Sequence, residues 1–192
     1  MVVTPNDLET EVKIPVDEKT FEASRIALNR GFKLPDFFPE ENIFYKTPEG
    51  FLRLRKYCGN ILVTYKGNRI ESEKMNSREE IEFEDYLPKD FDKLRTFFLR
   101  LGLKKDFEYT KQRSIYRFDQ GIFGAHDCAV SFDILPNEDK YIEIEELISD
   151  GIHDASSDGK TIDNVVLRLG LQKHPLEKRN YLDIVRGKKW KN

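Results

Sequence analysis

Cysteine is scarce in this chain: Cys58 and Cys128 are the only two in 192 residues. Two scattered cysteines supply neither a disulfide framework nor a zinc-binding pattern, and both are read as packing residues. No apolar run approaches the length of a membrane span. The first residues, MVVTPNDLE, lack a basic stretch followed by an apolar one, so no signal peptide and a cytoplasmic setting are expected. Neither sign of charge dominates, with 32 Lys and Arg against 35 Asp and Glu. A net charge of −3 argues against a surface built to track nucleic acid, which is not expected as a partner. There is no glycine-rich loop of the nucleotide-binding type. His126, His153 and His174 are dispersed and read as incidental.

What is present is charge and aromatic bulk together. Charged residues make up 35% of the chain, beside 14 Phe and 8 Tyr. That mixture folds, because it contains enough apolar surface to bury. The length suits one domain, taken as residues 1–192. Helical periodicity marks residues 17–30, 88–101 and 161–169. In the second of these, Phe91, Leu94, Phe97, Phe98 and Leu101 are placed inward. The helices end before Gly31, Gly102 and Gly170, each suited to a left-handed cap. The string LRLGLKK at 99–105 returns as LRLGLQK at 167–173, and reads as one helix exit used twice. Eight strands are expected, at 8–16, 41–47, 51–57, 61–67, 78–86, 107–118, 129–135 and 140–147. Residues 149–160 read as a loop.

The strands carry charge at alternate positions, which in a strand means on one face. In LETEVKI these are Glu9, Glu11 and Lys13. Arg53 and Arg55, Glu80 and Glu82, Lys111 and Arg113, and Glu143 and Glu145 follow the same rule. Lys66 and Asp133 lie in further strands. A single strand of this kind describes a solvated face. The set is sorted by sign: acids pair on the first, fifth and eighth strands, bases on the third and sixth. An eight-stranded sheet with only a few helices hides its edges by closing. The expected fold is therefore α+β, a closed eight-stranded antiparallel barrel with flanking helices and a charged interior. Such an interior needs water, metal or ligand to compensate it. Carboxylates suit hard divalent cations, and Lys and Arg suit phosphate oxygens. Both together suit a metal polyphosphate.

The ordered series of Glu-x-Glu-x-Lys, Arg-x-Arg, Tyr-Lys-Gly, Lys-x-Arg and a late Glu-x-Glu resembles the CYTH superfamily, the triphosphate tunnel metalloenzymes. The stretch LGLKKDFEYTKQRSIYRF looks most like its CyaB-type arm, which holds the class IV adenylyl cyclases. EKRNYLDIV resembles that arm's closing segment, with Asn180 where serine is usual. The loop DQGIFGAHD, 119–127, looks long for the family.

The resemblance implies that Glu9, Glu11, Glu143 and Glu145, with Asp133 assisting, hold Mg²⁺ or Mn²⁺. It implies that Lys13, Arg53, Arg55, Lys66, Lys111 and Arg113 grip a triphosphate, with Arg78 a further candidate. Lys13, Lys66 and Arg113 are the residues assigned to the reaction. Glu80 and Glu82 are either partners of neighbouring bases or extra metal ligands. Lys178 and Arg179 read as a basic surface patch near the mouth.

The implied partner is a small-molecule triphosphate, bound by a monomer or homodimer. The implied reaction is conversion of ATP to cyclic AMP and pyrophosphate. The alternatives are hydrolysis of inorganic triphosphate, thiamine triphosphate or a nucleoside triphosphate, and binding without turnover. A plain sheet with a solvated polar face and a protein partner is the remaining reading.

Overall fold

The computed structural model describes residues 8–29, 35–67, 70–71, 76–77, 80–86, 88–148 and 159–187. The strands are β1 (Leu8–Val16), β2 (Phe38–Thr47), β3 (Gly50–Tyr57), β4 (Asn60–Gly67), β5 (Ile70–Glu71), β6 (Asn76–Ser77), β7 (Glu80–Tyr86), β8 (Lys104–Phe118), β9 (Asp127–Ile134) and β10 (Lys140–Ile148). The helices are α1 (Glu18–Asn29), α2 (Phe91–Arg100), α3 (Lys160–Leu169) and α4 (Tyr181–Val185). Eight strands form one antiparallel sheet in the order β1-β10-β9-β8-β2-β3-β4-β7, while β5 and β6 pair separately. The order is open: no ladder joins β1 to β7 among the described residues. The α+β class and the eight strands match expectation, whereas closure into a barrel is not shown. No described helix is long and apolar enough to cross a membrane.

The chain divides into two compact units, one of residues 1–5 and 38–110, the other of residues 6–37 and 111–192. In the first, β2, β3 and β4 turn Ile43, Tyr45, Leu54, Ile61 and Val63 onto Phe91 and Phe98 of α2. The period of two in the strands meets a three- to four-residue stripe in the helix, so each element buries one face. Phe97 and Leu101 were expected inward, yet they are 55% and 62% exposed. Helix α2 spans three turns on one sheet face, and a stripe that narrow takes Phe91, Leu94 and Phe98 and no more.

In the second unit, Ile14 of β1, Ile142 and Ile144 of β10, Val130 and Phe132 of β9 and Tyr116 of β8 form the apolar face. Phe21 and Leu28 of α1 and Ile162, Val165 and Leu169 of α3 cover it. Burying such side chains contributes about 1.5–3 kcal/mol each before the loss of chain entropy. The opposite face of the same strands is left for polar groups.

The repeated LRLGL string does the same work twice. Gly102 N donates to Leu99 O and Leu103 N to Phe98 O, each at 3.1 Å. Gly170 N donates to Leu167 O at 3.1 Å, and Leu171 N to Val166 O at 2.9 Å. Both glycines have positive φ, +85° and +72°. This is the paired cap in which a left-handed glycine turns the chain and the next leucine folds back on the core. Gly31 lies outside the described residues, as does most of the loop expected at 149–160. Loop 119–126 is fastened to α3, since Asn164 donates to Phe123 O at 2.6 Å and Gly124 lies against Thr161.

Candidate active site

In the second unit, register decides which charges meet. Glu11 stands opposite Glu145, and Lys13 opposite Glu143, across the β1–β10 ladder. Arg113 stands opposite Asp133 across β8–β9. Pairing conserves the face, so seven of the expected site residues share the side away from the apolar core: Glu11, Lys13, Lys111, Arg113, Asp133, Glu143 and Glu145. Lys111, Arg113, Asp133 and Glu143 are all buried.

The interactions on this face fall into two groups. Asp133 is fully buried and held by cations. Arg113 Nε donates to its Oδ1 at 2.7 Å, and Arg113 NH2 to its Oδ2 at 2.6 Å. Lys111 Nζ donates to Oδ2 at 3.2 Å, and the Tyr181 hydroxyl donates to the same oxygen at 2.7 Å. The fork of Arg113 is the bidentate pairing a carboxylate accepts best. Burial and the neighbouring carboxylates push the Tyr181 phenol well above its usual range, so it stays a donor.

The second group is carboxylate-rich. Glu11, Glu143 and Glu145 each offer an oxygen within 4.8 Å of the others. Lys13 Nζ lies 3.9 Å from Glu11 and 4.0 Å from Glu143. Burial alone would raise the Glu143 carboxyl, but the charges of Arg113, Lys13 and Lys111 and a Tyr181 hydrogen bond hold it down to about 2. A set of three hard carboxylate groups fits a divalent cation of the Mg²⁺ or Mn²⁺ kind. Asp133, expected to assist these ligands, accepts from Lys111, Arg113 and Tyr181 and lies outside the three-carboxylate group.

The first unit carries its own charged face, on the side of its sheet away from α2. Arg53 NH2 donates to Thr64 Oγ1 at 3.1 Å and to Glu82 Oε1 at 3.5 Å, and Thr64 donates to Glu82 at 2.8 Å. Arg55 Nε donates to Asn42 Oδ1 at 3.2 Å and lies 3.4 Å from Glu40, itself 1% exposed. Asn42 Nδ2 donates to Glu40 at 3.0 Å. Lys66 is half-buried opposite Phe51 of β3 and Glu80 of β7. Glu82 thus partners a neighbouring base. The side chains of Glu9 and Glu80, and all of Arg78, lie outside the described residues.

Four contributors escaped the sequence reading. Glu40 falls outside the strand expected at 41–47, because β2 begins three residues earlier, at Phe38. Asn42 and Thr64 are neutral and blend into a strand pattern. Tyr181 sits on a five-residue helix too short to show periodicity. Its alternate placement with Asn42 in FPEENIFYKT was the signal that could have found Glu40. Arg179 pairs with Glu177 through Nε at 2.9 Å, while Lys178 is exposed.

A CYTH domain family model matches residues 7–174, a span that takes in every charged pair above but Arg179–Glu177. The chain belongs to the CYTH domain family. Members of that family are triphosphate-processing enzymes. This CYTH chain is 27% identical over 184 residues to "Putative adenylate cyclase MJ0240" of Methanocaldococcus jannaschii, covering 92% of this chain and 98% of that one. It is similar in fold to the PH1012 protein of Pyrococcus horikoshii, with a TM-score of 0.69 at 24% identity, covering 93% of this chain and 99% of that one. It is also similar in fold to "Putative adenylyl cyclase HpAC1" of Hippeastrum, for which a dominant triphosphatase activity is described. There the TM-score is 0.65 at 16% identity, covering 95% and 97% of the two chains.

Proposed function

We propose that this CYTH chain is a divalent-metal-dependent enzyme that grips a triphosphate and cleaves it, in the manner of a class IV adenylyl cyclase. The carrying observation is the shared face of β1, β8, β9 and β10, where three carboxylates meet beside Lys13, Lys111 and Arg113. Glu11, Glu143 and Glu145 would hold the cation, with Glu9 as a further ligand. A bound Mg²⁺ or Mn²⁺ supplies Lewis-acid neutralisation of phosphate oxygens as they gain charge. Lys13, Lys111 and Arg113 offer donors to the same oxygens, and the family resemblance adds Arg53, Arg55 and Lys66 to the phosphate-binding set. Asp133 orients Lys111 and Arg113 and does not bind metal. The setting is cytoplasmic, and the enzyme acts as a monomer or homodimer.

In the cyclase reaction the ribose 3′-hydroxyl attacks the α-phosphorus and pyrophosphate leaves. Similarity along the whole chain to a protein named for adenylate cyclase supports it. The second reading is hydrolysis, in which water attacks the terminal phosphorus, its bond to the bridging oxygen breaks, the diphosphate end departs and the attacked phosphorus is released as orthophosphate. It is favoured by the character of the described site residues, which are carboxylates, amines and guanidinia suited to phosphate and metal and not to a base. A binder without turnover is disfavoured, because three clustered carboxylates weaken a bare anion site.

Purified protein incubated with ATP or inorganic triphosphate, with Mg²⁺ or Mn²⁺, separates these readings by product. Cyclic AMP with pyrophosphate supports the cyclase, and orthophosphate supports the hydrolase. Neither product, together with saturable protection against heat by triphosphate, supports the binder. No product and no protection would contradict the proposal.

A further inference from the structure

We propose that Tyr181 is a positioning residue for the phosphate-binding amines: its hydroxyl shares Asp133 Oδ2 with Lys111 and leaves Lys111 the longest contact on that oxygen, and its ring lies under both Lys111 and Lys13. This rests on the functional reading above, and it concerns a residue outside the charged motifs.

The hydroxyl carries the first half. Three donors converge on Asp133 Oδ2: Arg113 NH2 at 2.6 Å, the Tyr181 hydroxyl at 2.7 Å and Lys111 Nζ at 3.2 Å. A carboxylate oxygen has two good lone-pair directions, so three donors compete. The guanidinium and the phenol hold the short positions. The ammonium is left with the long one. Of the three it is the donor that a phosphate oxygen draws away at least cost.

The ring carries the second half. Lys13 Nζ lies 4.5 Å from its centroid, and Lys111 Nζ lies 4.3 Å from it. The face of an aromatic ring attracts an ammonium through its quadrupole. Such an attraction occupies no lone pair and leaves N–H groups for a phosphate. One ring therefore touches both ammonium groups, beside the carboxylates that pair with each.

The surroundings hold Tyr181 in this role. It is the first residue of α4, which is capped by the Asn180 side chain accepting from Asp183 N at 2.8 Å. Its ring meets Tyr141 edge-on, with centroids 5.6 Å apart. Upstream, Glu177 N donates to the carbonyl of Lys13 at 2.7 Å, tying the approach to α4 onto the strand that carries Lys13.

The test compares wild type with Tyr181→Phe and Tyr181→Leu. Calorimetry gives the Kd for inorganic triphosphate with Mg²⁺, turnover gives KM and kcat, and thermal unfolding gives Tm. Tyr181→Phe keeps the ring and is expected to weaken triphosphate binding about 5- to 10-fold, the net size of one ordinary hydrogen bond. KM rises by the same factor, while kcat and Tm stay close to wild type. Tyr181→Leu loses the ring as well and is expected to weaken binding by about a further 5-fold.

Equal binding by all three proteins overturns the proposal. So does a loss in kcat and KM that only tracks a fall in Tm. A measurement on the wild type alone covers the case of a misfolded variant. With lysine Cε labelled, the Lys13 and Lys111 signals should be displaced by the ring and should move when triphosphate is added. Undisplaced signals overturn the proposal. If wild type binds no triphosphate, the functional reading falls first; if it binds and the Tyr181 variants bind equally, only the present inference falls.

Discussion

Arg113 and Asp133 face each other across β8 and β9, and the guanidinium holds both carboxylate oxygens, at 2.7 and 2.6 Å. The pair is buried in the middle of the charged face, with Lys111 and Tyr181 on the same carboxylate. It is an internal counter-ion, without which two cations would be buried with much less compensation. Asp133→Ala should therefore destabilise the protein by about 3–5 kcal/mol, the cost of breaking a buried ion pair on one side. Urea unfolding measures this directly, and a change under about 1 kcal/mol would show that the pair is not what holds the face together.

Glu11 makes the opposite prediction. It is exposed, and its role in the site is as an oxygen ligand. Glu11→Gln should leave stability within about 0.5 kcal/mol of wild type. The Mn²⁺ concentration needed for half-maximal turnover should rise at least about tenfold. An unchanged metal titration would remove Glu11 from the ligand set.

The metal-free protein should lose stability in acid through Glu143. In the folded chain this carboxyl is held down from its ordinary 4.5 to about 2, since the cations around it outweigh its burial. The unfolded chain then takes up the proton first, so acid favours unfolding. The stabilisation is complete well above pH 4.5 and drains away as pH falls towards 2. Glu177, also held low by its hydrogen bond to Arg179, acts in the same direction. Unfolding free energy measured across this window should slope downward with acid, less steeply in Glu143→Gln.

The two thiols should react very differently. Cys58 is exposed, whereas Cys128 is buried against the core and its thiol is pushed up to about 11 by burial and by Glu146 and Asp127. The thiolate is the reactive form. Iodoacetamide at neutral pH should label Cys58 in the folded protein and reach Cys128 only on unfolding, as counted by mass spectrometry. Equal labelling of both would contradict the core placement of β9.

The sequence showed which charges share a strand face more clearly than it showed how the sheet ends. Alternation at Glu11 and Lys13, at Lys111 and Arg113 and at Glu143 and Glu145 was readable because strands have a period of two, and at the first and last pairs Val12, Ile14, Ile142 and Ile144 mark the apolar face. What alternation does not report is which strands are neighbours. Glu11 meets Glu145 only because β1 pairs with β10, a contact across most of the chain. The LRLGL string was readable because its glycine is local chemistry. Tyr181 was not, because its importance comes from Asp133, 48 residues away, and from Lys13, 168 away in sequence. Phe97 and Leu101 were misplaced because periodicity gives the direction of a stripe and not its width.

The most direct measurement is equilibrium dialysis of labelled inorganic triphosphate against the wild-type chain, with and without Mg²⁺. The account predicts saturable binding of one triphosphate per chain with metal, several-fold weaker binding without it, and loss of both in Arg113→Ala. Triphosphate that distributes equally across the membrane at every protein concentration would contradict it.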